Sequence, residues 1–295
     1  MTIPFETHVY KVAQGCEIRA DVYLAPTGSR PSPAILLIHG GALIMGSRQW
    51  VNLVQVDAFT GSGHTVVSVD YRLAPETKLP AIVADVRDAY RWLRESGPGL
   101  FGVDAERIAV MGSSAGGYLT LMAGFSVSPR PRALVSFYGY GDIVGDWYSS
   151  PDPFYCQQPA VTREQAYGSV GERPICESGE ERAPFYLYCR QQGLWPQEVG
   201  GHDPRREAFF FRPFCPVQNV SADYPPTLLL HGDADTDVPH EQSVLMARAL
   251  AGAGVRSELI TIANGPHGFD QDMADPAVQA AMESSLSFLG THLAA

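Results

Sequence analysis

The sequence predicts an α/β protein in which a mostly parallel central sheet is flanked by helices. Three observations lead to this prediction. Short apolar runs recur along the chain and suit strands that are covered on both faces. Segments with helical periodicity separate these runs. One run, Arg107–Met111, leads through the turn Gly112–Gly116 directly into a helical segment.

The chain is predicted to open with an antiparallel hairpin. Residues 5–13 and 17–24 alternate apolar and polar side chains on either side of Gln14-Gly15, a typical hairpin turn. Six later apolar runs predict the remaining strands: Ala34–Ile38, Thr65–Val69, Arg107–Met111, Ala133–Tyr138, Thr227–Leu230 and Ser257–Ile262.

Long helices are predicted between and after these strands. The clearest spans Pro80 to Glu95, and the turn-forming residues Ser96-Gly97-Pro98-Gly99 predict its end. Apolar residues also favour a helix over Glu241–Ala251 and another from about Pro276 to Leu293.

The alternation of strands and helices breaks after Gly139. Residues 140–224 are rich in proline, aromatic residues and cysteine, with short helical stretches near 162–170, 182–193 and 205–212. A structureless loop of this length is improbable within a compact domain. We therefore predict a core formed by residues 1–139 and 225–295, with residues 140–224 inserted between strands as a helical cap.

Composition excludes several function classes. The 295 residues carry a formal net charge of −11, and an acidic surface repels phosphate backbones and anionic bilayers. We expect neither nucleic-acid nor membrane partners. The first ten residues lack the pattern of a secretion signal, which favours a cytoplasmic protein. The sequence leaves open whether the chain acts alone or as a homodimer.

The five cysteines allow two interpretations. Four of them, from Cys156 to Cys215, fall within 60 residues, which suggests disulfides. The expected reducing compartment favours small buried thiols instead. The spacings contain no C-x-x-C pair and the histidines no H-E-x-x-H pattern, so we expect no metal and no other cofactor.

Polar residues whose side chains could take part in catalysis follow the predicted strands. Ser114 lies at the apex of G-x-S-x-G, Asp235 follows one later strand, and His267 follows the next. Carboxyl ends of parallel strands meet at one edge of a sheet, where ligands bind. A histidine activates a serine hydroxyl and an aspartate orients the histidine, so these residues are candidates for a catalytic triad. Asp237, on the same loop as Asp235, is the alternative acid.

Four motifs together resemble the α/β-hydrolase esterases related to hormone-sensitive lipase. They are His39-Gly40-Gly41-Ala42, Asp70-Tyr71-Arg72-Leu73-Ala74-Pro75-Glu76, Gly112-Ser113-Ser114-Ala115-Gly116-Gly117 and Pro266-His267-Gly268-Phe269. The resemblance implies the α/β-hydrolase fold and the triad Ser114, Asp235 and His267. It also assigns the oxyanion-binding amides to Gly41, Ala42 and Ala115.

Two features depart from that family pattern. Ala42 stands where the oxyanion motif has its third glycine, and its Cβ narrows the conformations open to the loop. The candidate acid Asp235 lies in a loop that looks more like that of the prolyl-oligopeptidase branch, so amide substrates remain an alternative. The loop reads His231-Gly232-Asp233-Ala234-Asp235-Thr236-Asp237-Val238-Pro239.

We expect a serine carboxylesterase that cleaves short-acyl or small soluble esters. An amidase or peptidase with the same triad is one alternative, and a non-catalytic receptor on the same scaffold is another. His39 is expected to hold its loop rather than act as a base, and Arg72 and Glu76 to form a structural ion pair or loop brace. Most cap aromatics are expected to pack the cap, and a few to line a substrate pocket.

Overall fold

The computed structural model describes residues 2–26 and 31–294, and within them an eight-stranded sheet forms the centre of the fold. The strand order is β1-β2-β4-β3-β5-β6-β7-β8. Strands β3 to β8 run parallel, whereas β2 pairs antiparallel with both β1 and β4. The strands are β1 (Glu6–Ala13), β2 (Cys16–Tyr23), β3 (Ser32–Ile38), β4 (Thr65–Val69), β5 (Val103–Ser113), β6 (Ala133–Phe137), β7 (Thr227–Gly232) and β8 (Ser257–Ile262).

Helices cover both faces of this sheet, which confirms the predicted fold class. The longer ones are α1 (Leu53–Gly61), α2 (Leu79–Phe101), α3 (Ala115–Ser126), α9 (Glu241–Gly252) and α10 (Pro276–His292). Successive strand residues point to opposite faces. Leu36 therefore packs in the cluster that contains α2 and α3 residues, and Ile35 in the cluster that contains α1 and α10 residues.

Helix α2 extends beyond its predicted end at Glu95. It runs through Pro98 to Phe101 and ends at Gly102, which adopts the left-handed conformation with φ 67°. A proline near a helix end removes a single backbone hydrogen bond. Phe101 is buried and packs edge-on against Trp92 and His8, and this burial favours the extra turn.

Short helices occupy the segment between β6 and β7. They are α4 (Asp146–Ser149), α5 (Arg163–Gly168), α6 (Ala183–Gln192), α7 (Trp195–Gly200) and α8 (Ala208–Phe211). Three of them lie where the sequence predicted helices, and α4 and α7 were not predicted. Phe185 and Trp195 are fully buried in the same hydrophobic cluster as Leu36. The division into a core and an inserted cap stays a prediction.

All five cysteines are unpaired, so the disulfide interpretation is not realised. Cys176, Cys189 and Cys215 are buried, and burial raises the pKa of each thiol. Among the described residues, no helix combines the length and apolar character needed to cross a bilayer.

Arg72 and Glu76 do not pair with each other, and each forms a structural ion pair with another residue. Arg72 donates through Nε and Nη2 to both carboxylate oxygens of Asp85, at 2.7 and 2.8 Å. Glu76 instead pairs with Arg182. Both pairs are buried, because the loop after β4 is covered by α2 on one side and by the 140–224 segment on the other. They brace the loop in two directions.

Loss of the Asp85 carboxylate is expected to destabilise the protein. Asp85→Ala leaves the buried Arg72 guanidinium without a counter-charge, and we expect a loss of about 3–5 kcal/mol in the free energy of unfolding, measured by urea denaturation. Asp88→Ala is the matched control on the same helix. Asp88 is partly exposed and shares Lys11 with Asp85, so its loss should cost less than about 1 kcal/mol. Equal losses would contradict the bracing role of Asp85.

Candidate active site

The turn between β5 and α3 holds Ser114 in a strained conformation, with φ 55° and ψ −119°. The flanking glycines are required by close contacts. A Cβ at Gly116 would lie 2.0 Å from the carbonyl oxygen of Ile38, and one at Gly112 would lie 2.6 Å from the same oxygen. The turn is therefore pressed against the end of β3, and Ser114 stands at the carboxyl edge of the sheet.

The structure brings the three predicted triad residues together. His267 Nε2 lies 3.1 Å from Ser114 Oγ, and His267 Nδ1 lies 2.8 Å from Asp235 Oδ2. These residues follow β5, β7 and β8, whose carboxyl ends meet at this edge. The arrangement allows the imidazole to take a proton from the hydroxyl while the carboxylate stabilises the resulting cation.

Asp235 is held as a buried carboxylate. Its Oδ1 accepts the backbone N–H groups of Asp237 and Val238 at 2.8 and 2.9 Å, and its Oδ2 also lies 3.3 Å from His231 Nε2. Burial alone would raise the pKa of Asp235, but the hydrogen bonds with His231 and His267 hold it well below its usual range. Asp235 therefore stays ionised beside the imidazole.

His267 is tuned towards its protonated form. Burial alone would lower its pKa, but the hydrogen bond with Asp235 and the negative charges of Asp237, Asp235 and Asp270 raise the pKa above 6.5. The ring also contacts Tyr138 edge-on, with 4.7 Å between centroids.

The loop after β3 carries two of the three predicted oxyanion amides. Gly41 and Ala42 both have positive φ, at 99° and 55°, so alanine occupies a left-handed position that glycine adopts more easily. Within the described chain, the N–H groups of Gly41, Ala42 and Ala115 donate to no protein acceptor. The third amide belongs to the first residue of α3, where helices leave N–H groups free. The carbonyl of Ala42 accepts the indole N–H of Trp195 at 2.9 Å, and this bond fixes the loop.

His39 holds this loop from below. Its ring stacks on Tyr71, with centroids 4.2 Å apart, and its Nδ1 lies 2.7 Å from the carbonyl oxygen of Gly40. Burial lowers the pKa of His39 to about 4. The ring is buried and packed under the loop, in keeping with the structural role expected for it.

A cavity of about 460 Å³ opens above Ser114 and His267. Gly41 and Ala42 line it, whereas Ala115 lies below the surface. Its further lining residues are Gly40, Met45, Gln49, Trp50, Val51, Ser113, Tyr138, Tyr186, Asp237, Gly268 and Gln271. Tyr186 is the one lining residue from the described segment 140–224. The loop at residues 45–51, which the sequence did not indicate, supplies most of the apolar wall.

Asp237 does not take the acid position on His267 Nδ1. Its Oδ2 instead lies 3.5 Å from His267 Nε2, on the side that faces Ser114. Arg190 Nη1 donates to its Oδ1 at 2.6 Å. The sequence offered no signal for this pairing, because Arg190 lies in α6, far from Asp237 along the chain.

The mostly parallel sheet and the serine on its strand–helix turn are those of the α/β-hydrolase class. Residues 35–271 match the family described as the alpha/beta hydrolase fold, and the chain belongs to that family. This match confirms the resemblance that the motifs indicated. A non-reducing polyketide synthase of Acremonium egyptiacum is 30% identical over 301 residues, which covers 90% of this chain and 14% of that protein. The chain thus spans a small part of that relative.

Solved structures share the fold. An alpha/beta hydrolase superfamily protein from Enterococcus faecalis gives a TM-score of 0.77 at 22% identity, covering 98% of this chain and 100% of that one. A propionate-bound thermophilic esterase from Thermogutta terrifontis gives 0.71 at 23% identity, covering 97% and 94%. At sequence identities this low, the structural similarity shows a shared fold and nothing more. Fold and family together support a hydrolase.

The raised pKa of His267 can be tested by NMR titration of its imidazole. We expect a titration midpoint above that of an ordinary imidazole, so the neutral ring, which is the form able to accept a proton, becomes the main form only when the pH exceeds that raised midpoint. Asp235→Asn should lower the midpoint, because it removes both the negative charge and the strongest hydrogen bond. His39 is the internal control, with a midpoint near 4 in both proteins. An unchanged His267 midpoint in Asp235→Asn would contradict the tuning described here.

Proposed function

We propose that the protein is a serine carboxylesterase acting through Ser114, His267 and Asp235. The observation that supports this most strongly is the hydrogen-bonded series from Ser114 Oγ through His267 to Asp235, set beside a cavity lined by Gly41 and Ala42. A serine activated in this way forms an acyl-enzyme.

The reaction proceeds in two stages. Ser114 Oγ attacks the ester carbonyl carbon while His267 Nε2 takes the hydroxyl proton. The N–H groups of Gly41, Ala42 and Ala115 stabilise the resulting oxyanion, a contribution of about 3–4 kcal/mol for each strong donor. The carbon–oxygen bond to the alcohol then breaks, and His267 gives its proton to the departing oxygen. Water, deprotonated by His267, releases the acid in the second stage.

The cavity favours small substrates. A volume of about 460 Å³ is at the low end for small-molecule sites and leaves room for a short acyl chain and a small alcohol. Met45, Trp50 and Val51 provide an apolar wall, and Tyr138, Tyr186 and Gln271 provide polar groups.

Similarity to part of a polyketide synthase over 90% of the chain favours a second candidate, hydrolysis of an acyl thioester by the same serine. The acid loop that resembles the prolyl-oligopeptidase branch keeps amide hydrolysis as a further alternative. All three reactions use the same acyl-enzyme and differ in the leaving group, so one substrate panel distinguishes them.

Esterase activity is tested with 4-nitrophenyl esters from acetyl to dodecanoyl, a butyryl thioester and aminoacyl 4-nitroanilides. We expect the highest kcat/KM for the short oxygen esters and a loss of at least about 10⁴-fold in Ser114→Ala, because the nucleophile is removed. Ser113→Ala, at the neighbouring position on the same turn, is the matched control and should retain measurable turnover.

Ester turnover that survives Ser114→Ala would overturn the proposed nucleophile. Preference for the thioester would favour the second candidate, and turnover of the anilides alone would favour the amidase. Ligand-induced stabilisation without any turnover would indicate a receptor.

A further inference from the structure

Asp237 places a carboxylate oxygen beside the reacting atoms. Its Oδ2 lies 3.5 Å from His267 Nε2, the nitrogen that faces Ser114, and the residue lines the cavity. In an esterase reaction this nitrogen hands its proton to the departing alcohol oxygen. Atoms of the alcohol that adjoin the ester oxygen therefore come within reach of Asp237.

The two oxygens of Asp237 have different surroundings. Oδ1 accepts hydrogen bonds from the Tyr155 hydroxyl at 2.9 Å, from the Tyr186 hydroxyl and from Arg190 Nη1 at 2.6 Å. Oδ2 receives no hydrogen bond within the described chain, and His267 is its near neighbour. The acceptor capacity of Oδ2 is thus left for a group that enters the cavity.

Buried groups fix the direction in which Oδ2 points. Arg190 is fully buried, bonds both Asp237 and Asp152, and lies over the rings of Tyr148 and Tyr155 at 4.8 and 4.6 Å. Its Nη1 also donates to the backbone carbonyl of Asp237 at 3.0 Å. Such a support holds the carboxylate in one orientation and costs little reorganisation when a ligand binds.

We propose that Asp237 is a specificity-determining residue that selects esters whose alcohol part carries a hydrogen-bond donor next to the ester oxygen. This inference rests on the proposed esterase function and concerns its substrate class, esters of polyhydroxylated alcohols. In such an alcohol, the carbon next to the one that bears the ester oxygen carries a hydroxyl. This hydroxyl donates to Oδ2 while the ester oxygen receives the proton from His267 Nε2.

An alkyl alcohol offers no such donor. It would strip water from Oδ2 without replacing the lost hydrogen bond, and a desolvated, unpaired charged group is costly. A site that hydrogen-bonds a substrate hydroxyl therefore discriminates against analogues that lack it. Within the described lining of the cavity, Asp237 is the one carboxylate, so this discrimination depends on a single side chain.

The test compares 2-hydroxyethyl butyrate with 2-methoxyethyl butyrate. The two esters share the acyl group and carry an electron-withdrawing oxygen at the same carbon, but only the first has a donor. Rates of hydroxide-catalysed hydrolysis correct for the remaining difference in intrinsic reactivity. We expect the wild type to favour the hydroxyethyl ester by about tenfold in kcat/KM, the effect of one charge-assisted hydrogen bond. In Asp237→Asn, the ratio should fall to near one.

Tyr155→Phe is the matched control. It removes one donor to Oδ1, outside the cavity lining, and leaves the carboxylate in place, so the ratio should persist. A wild-type ratio near one, or a ratio that persists in Asp237→Asn, would overturn the inference. Should Asp237→Asn fail to fold, as judged by circular dichroism, the wild-type ratio alone decides. Absence of turnover with either ester would instead count against the proposed esterase function.

Discussion

The close packing of Gly116 against the carbonyl oxygen of Ile38 constrains the whole carboxyl edge of the sheet. Without side chains at Gly112 and Gly116, the turn after β5 packs directly onto the end of β3. This contact sets the position of Ser114 relative to the loop that begins at His39. Ser114, which follows β5, and the backbone amides of Gly41 and Ala42, which follow β3, are thereby held at one cavity.

The segment between β6 and β7 supports this edge from above. Trp195 binds the carbonyl of Ala42, and Arg190 binds Asp237, so α6 and α7 contact both sides of the candidate site. Stacked rings of Trp195 and Tyr148, with centroids 4.1 Å apart, connect the two contacts. The backbone of Ala42 has a positive φ, which is unfavourable for alanine. This conformation is retained because the contacts around the loop hold it in place.

Two aspartates on one loop acquire different roles from their surroundings. The carboxylate of Asp235 is buried, accepts two backbone N–H groups and contacts His267 on the side away from Ser114. Asp237 is partly exposed, pairs with Arg190 and faces the same imidazole from the cavity. The difference follows from which ring nitrogen each carboxylate reaches, and short-range sequence patterns do not encode that geometry.

The strands, most helices and the residues at the strand ends could be predicted from the sequence, because apolar periodicity and glycine-rich turns are local signals. The sequence also predicted Ser114, Asp235 and His267 as candidate site residues, and the structure places them within hydrogen-bond distance of one another. Three features could not be predicted in this way: the extra turn of α2, the partners of Arg72 and Glu76, and the support of Asp237 by Arg190. These depend on burial and on contacts between residues distant in the chain, which no local pattern of the sequence records.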